Sequence, residues 1–403
     1  MKSTSHFVPP LLATCPACGL LCDDIAIDAT SPDKTIKIKN GCTKTVAFFQ
    51  QSYTEVSPSI AGKSADLASA IQAAATILKA SHQPLFAGLG TEVNGMRAIM
   101  RLAQKTNATL DHMHSEATVR NTLALQNSGW QTTTLTEVKN RADLILAIGT
   151  DIVSSHPHFF EKLVWNKDSL FDKAKPEVIY LGSASEAEKL PEILNALNAL
   201  ANGKKLAVKA VADITIESLQ AILDKFKTAQ YAVVVWSAKN LNFSHAELTI
   251  QSITKFIATL NEKTRVMGLP LNSGDGDTSI NYASTWLSGY ATRTRFSNEQ
   301  PEYNPQAFST EKQLKSCDAL LWISTFNPIA PPQITSPTIM IGHPNTLFTT
   351  PPDVFIPVGI PGLDHNGTMF RMDGAVALPL KKVRHIALPT LSEVLHQIEA
   401  LLP

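Results

Sequence analysis

Ala142-Asp143-Leu144-Ile145-Leu146-Ala147-Ile148-Gly149 is apolar at all but one position and stops at a glycine. A strand with no polar face belongs inside a parallel sheet covered by helices on both sides. The chain repeats this pattern. Pro84–Gly90, Glu177–Gly182, Tyr231–Trp236, Ala319–Ser324 and Thr338–Gly342 are short apolar runs of the same kind. Helical spacing separates them: an alanine-rich stretch over Ala65–Ala80, then Met96–Lys105, about Glu186 to Ala201, about Ala246 to Leu260, and Leu391–Leu402. Strands alternating with helices predict doubly wound α/β layers.

An internal echo accompanies the alternation. Arg141-Ala-Asp143-Leu-Ile-Leu, a polar loop with Pro157 and Val178–Gly182 form one half. Ser316-Cys-Asp318-Ala-Leu-Leu, a loop with Pro328 and Ile339–Gly342 form the other. Two related α/β domains facing one another would leave a cleft between their strand C-termini, where such sheets bind ligands.

Composition narrows the classes. The 403 residues suffice for two or three domains, with 44% apolar residues for the cores and 17% charged. A net charge of zero argues against nucleic acid or an anionic membrane as partner, since both ask for clustered positive charge. The Met1–Phe7 stretch has no signal-type apolar region, and no run approaches a membrane span. With most cysteines in metal-ligand spacing, the expected compartment is the cytoplasm.

Four of the five cysteines sit in Cys15-Pro-Ala-Cys18-Gly-Leu-Leu-Cys22 and Asn40-Gly41-Cys42. C-x2-C-x3-C with a distant fourth thiolate suits a cubane iron–sulfur cluster; structural zinc is the rival, and a disulfide framework fits less well. The segment continues into Asp23–Asp28 and Thr35–Lys39, two alternating stretches around Ser31-Pro32-Asp33 that predict a β-hairpin carrying the thiol loops. Cys317 opens an apolar run and reads as a buried hydrophobe.

Gly149-Thr-Asp151 followed by Ser155-His156-Pro157 resembles the cofactor-cleft segment of molybdopterin-dependent oxidoreductases. Ile356-Pro-Val-Gly359-Ile-Pro-Gly362 with Asn366-Gly367-Thr-Met-Phe-Arg371-Met-Asp373-Gly374 resembles that superfamily's last cleft loop. The cysteine segment is similar to that of the formylmethanofuran dehydrogenase B subunit, and the resemblance covers nearly the whole chain. It implies a Cys-rich iron–sulfur-type segment over 1–60, one α/β domain from 61–135 with 320–403, and a second over 136–319. It also implies a vestigial pterin cleft lined by Gly149, Asp151, His156, Gly342, His343 and Gly367. Cys15, Cys18, Cys22 and Cys42 are the implied metal ligands, holding a 4Fe-4S cluster, zinc or nothing.

The departures from the family matter more. Catalytic members carry a cysteine or selenocysteine that ligates tungsten or molybdenum, yet no cysteine lies between Cys42 and Cys317. The corresponding region reads Asp111-His112-Met-His114-Ser-Glu116. The superfamily's C-terminal barrel is also not expected before Pro403. The resemblance therefore fits best with the B subunit of the formyltransferase/hydrolase complex of aerobic methylotrophs. That implies a non-redox structural subunit without molybdopterin or tungstopterin and without a catalytic residue of its own. Its implied partners are a zinc amidohydrolase-like A subunit and C and D (formyltransferase) subunits, with a methanofuran-type cofactor bound by the partners. An active tungsten or molybdenum dehydrogenase subunit is the alternative.

Other chemistry is thinner. On a strand, His112 and His114 would face one side, where Asp111 and Glu116 could complete a carboxylate-assisted metal site, although a polar cleft lining is the commoner role for H-x-H. His156-Pro-His158 would favour an anion from a helix start. Asn272-Ser-Gly274-Asp275-Gly276-Asp277 lacks the glutamate of a calcium loop and reads as a glycine-rich loop suited to phosphate. Arg293, Arg295 and Arg371 are the cations nearest the expected cleft loops, each equally suited to a structural role.

Overall fold

The computed structural model describes residues 10–28, 36–52, 55–173, 175–298 and 300–403. They form two compact units, one built from Met1–Ser115, Gly274–Arg371 and Ala377–Pro403, the other from Glu116–Ser273 and Met372–Val376. These boundaries differ from the expected ones at 135 and 319. Ala117 and Ala124 pack into the core of the second unit, whereas Ile280, Ala283 and Phe296 pack into that of the first.

The second unit is a four-stranded parallel sheet in the order Val266–Leu271, Ala232–Ser237, Leu144–Ile148, Glu177–Leu181. All five residues of Leu144–Ile148 are buried, as their apolar character requires. The helices Leu190–Ala201, Ile216–Thr228 and Ala246–Asn261 supply the layers that cover it. The first of these starts later than its periodicity suggests. Ala184–Lys189 is a 3-10 turn with Glu186 off helical geometry, and Pro191 stands in the first turn proper, where its missing N–H costs nothing.

The first unit has a nine-stranded sheet whose middle five strands are parallel: Thr109–Leu110, Pro84–Gly90, Ala319–Ser324, Thr338–Gly342 and Val354–Pro357. Antiparallel pairs finish both edges: Thr294–Ser297 with Gln300–Tyr303, and Ser59–Ile60 with Lys63–Ser64. A separate antiparallel sheet joins Leu11–Ala13, Ile25–Asp28 and Lys37–Lys39. The last two are the arms of the expected hairpin. Its Ser31-Pro32-Asp33 turn and the Met1–Phe7 stretch lie outside the described residues.

The internal echo is realised strand by strand. The second unit's sheet order corresponds to Thr109–Leu110, Pro84–Gly90, Ala319–Ser324, Thr338–Gly342 in the first. The echoed aspartates do the same work in each. Asp143 accepts the amides of Gln230 (2.7 Å) and Tyr231 (3.0 Å), just ahead of Ala232–Ser237. Asp318 accepts those of His82 (2.7 Å) and Gln83 (2.9 Å), just ahead of Pro84–Gly90. Each satisfies two donors at the start of a central strand, where no ladder partner reaches them. Among the described residues no helix is long and apolar enough to cross a membrane.

Candidate functional site

The region expected to carry a metal thiolate lies in the first unit. The strand ends at Leu110, so Asp111–His114 is a turn, and the expected same-side strand geometry of the histidines does not occur. Both rings instead meet Asp275, in the glycine-rich loop. His112 Nδ1 accepts the His114 amide (3.0 Å) and its Nε2 lies 3.2 Å from the Asp275 carbonyl. An amide can only donate and a carbonyl only accept, so the imidazole is neutral with its proton on Nε2. Burial pushes the ring's pKa down, against the pull of Asp277, and favours the same state. Both nitrogens of His112 are thus engaged by the protein itself.

His114 Nε2 lies 2.9 Å from Asp275 Oδ2, and Asn327 donates to Oδ1 at 2.5 Å. Burial would raise the Asp275 carboxyl, but the hydrogen bonds from His114 and Asn327 hold it below its ordinary value. The backbone explains the loop's composition. Gly276 has φ +75°, and a Cβ there would stand 2.3 Å from the Thr91 carbonyl oxygen. The loop therefore approaches the end of the Pro84–Gly90 strand closely, and only glycine permits this.

Neither expected carboxylate joins the histidines. Asp111 Oδ2 accepts the Thr310 amide (2.6 Å) and hydroxyl (2.7 Å), and Oδ1 lies 3.5 Å from Arg293 Nε. Glu116 lies 3.5 Å from Arg120 in its own helix. Arg293 also donates to Ser115, and Arg295 to Thr109 and Gln313 while covering the Phe308 ring. Both arginines are structural.

The six expected cleft residues divide between the units. In the second, Gly149 ends its strand at φ +55°, where a Cβ would meet Leu190 at 2.4 Å. Asp151 caps the four-residue helix Ile152–Ser155, and His156-Pro157-His158 lies between that helix and the next helical segment, Phe160–Val164. His156 Nε2 pairs with Asn272 Oδ1 at 2.9 Å. In the first unit, a Cβ at Gly342 would meet the Ser324 carbonyl oxygen at 2.5 Å, and one at Gly367 would meet the Glu92 side chain at 3.0 Å. His343 is buried directly after its strand and hydrogen-bonds to Gln51 at 2.6 Å.

Cys15, Cys18 and Cys22 lie between the strands Leu11–Ala13 and Ile25–Asp28, and Cys42 follows Lys37–Lys39. The Cys15 amide donates to the Cys22 carbonyl at 2.9 Å, and Cys42 Sγ lies 3.4 Å from Thr45 Oγ1. Burial pushes the Cys15 thiol up to about 12, opposed by a hydrogen bond with Thr45, and raises Cys18 too; like-charge contributions link both to Cys42. Three thiols therefore share one neighbourhood and Cys22 is tied to it through the backbone. Among the described residues, however, no group of three or more His, Cys, Asp or Glu is arranged to hold a metal ion.

Glu92 was not foreseen. It is buried, accepts the amides of Asn94 (2.9 Å) and Gly95 (2.8 Å) as N-cap of the helix Val93–Thr106, and also accepts the Thr368 amide (3.0 Å). A glutamate is an unusual cap, so the capping pattern gave no signal.

No family model matches the chain. It is 26% identical to the B subunit of tungsten-containing formylmethanofuran dehydrogenase 2 from Methanococcus maripaludis, over 92% of each chain. It is 29% identical to the B subunit of the formyltransferase/hydrolase complex Fhc of Methylorubrum extorquens, over 77% of this chain and 87% of that one. In structure it matches a chain of the FhcABCD complex from Methylorubrum extorquens, solved with methylofuran. The TM-score is 0.72 at 25% identity, covering 86% of this chain and 98% of the other. The chain is a homologue of the proteins named as the B subunits of formylmethanofuran dehydrogenase and of Fhc.

Proposed function

We propose that this chain is a non-redox structural subunit of a formyltransferase/hydrolase complex that converts formyl-tetrahydromethanopterin, via formyl-methanofuran, to formate. The observation that carries the reading is the occupant of the expected metal-thiolate position. His112, His114, Asp275 and Asn327 satisfy one another there, and no cysteine is present. The likeness to the Fhc B subunit and to its complex supports the same conclusion. The two echoed sheets fit molybdopterin-oxidoreductase-type layering inherited without its redox chemistry. A-, C- and D-type subunits are the proposed partners, the methanofuran analogue being bound by them, and the cytoplasm is the proposed setting.

Metal analysis of the intact complex tests this. We expect zinc, contributed by an amidohydrolase-like partner, with tungsten and molybdenum at background; a brown preparation holding either metal would overturn the reading. Replacing His112 and His114 together by alanine should leave formate release within about tenfold of wild type, under ~1.4 kcal/mol of barrier. A loss of several orders of magnitude, with the complex intact on a sizing column, would make this chain catalytic.

A further inference from the structure

His343 terminates its strand in a chain of hydrogen bonds whose every direction is fixed. The Asn345 amide donates to His343 Nδ1 at 3.1 Å. At the other end, Gln51 Nε2 donates to the Phe48 carbonyl at 2.9 Å, which turns Gln51 Oε1 toward the imidazole. Oε1 can only accept, so His343 Nε2 carries the proton and Nδ1 has none. Two more bonds reach the same stretch: Asn345 Nδ2 to the Ser52 carbonyl (2.8 Å) and Arg384 Nη1 to the Gln51 carbonyl (2.6 Å). Residues 51 and 52 follow the helix Thr43–Phe49, which begins immediately after Cys42.

We propose that Gln51, His343, Asn345 and Arg384 form an acid-released clasp, which fastens the end of the cysteine-bearing segment to the sheet of the first unit and lets go when His343 Nδ1 is protonated. A proton on Nδ1 would set one donor against the Asn345 amide, and the uncharged Gln51 has no compensating negative charge to offer. The charged groups facing the ring are Asp364 and Arg384, and Arg384 pairs with Asp364 through Nε at 2.5 Å. Each therefore largely cancels the other's influence on the imidazole.

Burial holds the closed imidazole at about 4. An opened loop would restore about 6.5. The sign follows from the depressed closed-state value. Above pH 6.5 the ring is neutral in both states and the clasp has its full strength. Between 6.5 and 4 only the open state binds the proton, so opening grows about thirtyfold by pH 5. Phe48 and Phe49 stay packed in their apolar cluster and keep the event local.

Amide hydrogen exchange on the full chain tests this, with rates at each pH divided by the intrinsic rate. Wild type should lose about thirtyfold protection at the Asn345 amide and over residues 50–52 between pH 7.5 and 5. Far-UV circular dichroism should not change. His343→Asn keeps a side-chain acceptor but cannot titrate, and should flatten the profile. Gln51→Glu places a carboxylate against the imidazole, raises its closed-state value and should cut the loss of protection at pH 5 to about half or less of the wild-type loss. A flat wild-type profile, an unchanged profile in either variant, or a concerted loss of dichroism would overturn the proposal.

Discussion

Trp236→Ala should melt the second unit about 6–20 °C below wild type in calorimetry. Trp236 is completely buried in the Ala232–Ser237 strand, which has parallel neighbours on both sides. Its Nε1 donates to Asn121 at 3.0 Å, and Trp130 lies against it at 5.9 Å. The site is built around the indole: a Cβ at Gly268 would come 2.8 Å from its ring. Truncation removes a large apolar surface and leaves a cavity that the flanking strands cannot close, a loss of about 3–5 kcal/mol. At ~2–4 °C per kcal/mol for a unit of this size, that gives the shift stated. Trp236→Phe should lose less. An alanine variant melting within about 3 °C of wild type would show that this strand does not hold the unit together.

Arg384→Met should destabilise the first unit by about 3–5 kcal/mol at neutral pH, the loss typical of breaking a buried ion pair from one side. The Asp364 side chain is only 1% exposed, and Arg384 Nε lies 2.5 Å from its Oδ1. Asp364 Oδ2 also accepts the Ile360 amide at 2.8 Å, so the carboxylate is fixed and cannot turn toward water. Replacing both partners, Arg384→Met with Asp364→Asn, should cost less than Arg384→Met alone, because no charge is then stranded. Chemical denaturation of wild type, the single variant and the double variant measures this, and a double variant less stable than the single would refute the stranded-charge account.

What could be read in advance followed from local causes. The Pro84–Gly90, Ala319–Ser324 and Thr338–Gly342 strands have their expected limits because an apolar run bounded by breakers admits few alternatives. The echo of Asp143 and Asp318 was visible as spelling, but its meaning, two amide pairs held at strand starts, needed coordinates. His112-x-His114 does not form the strand pair its spacing would allow, because its environment is set by Asp275, some 160 positions away in the chain. Similarly, the boundaries at 115 and 273 depend on which core receives Ala117 and Ile280, and periodicity alone cannot decide that.

The Pro84–Gly90 and Ala319–Ser324 strands are sheet neighbours, yet the whole stretch Glu116–Ser273 lies between them in sequence. A ribosome delivering ~5–20 residues per second needs roughly 10–50 s to travel from one strand to the other. Throughout that interval the Pro84–Gly90 strand, buried at every position once folded, has an open hydrogen-bonding edge, while the inserted unit can already close on itself. Newborn chains should therefore be most vulnerable to mispairing before residue 324 emerges, and a chaperone that shields apolar edges should raise the yield of the first unit more than that of the second.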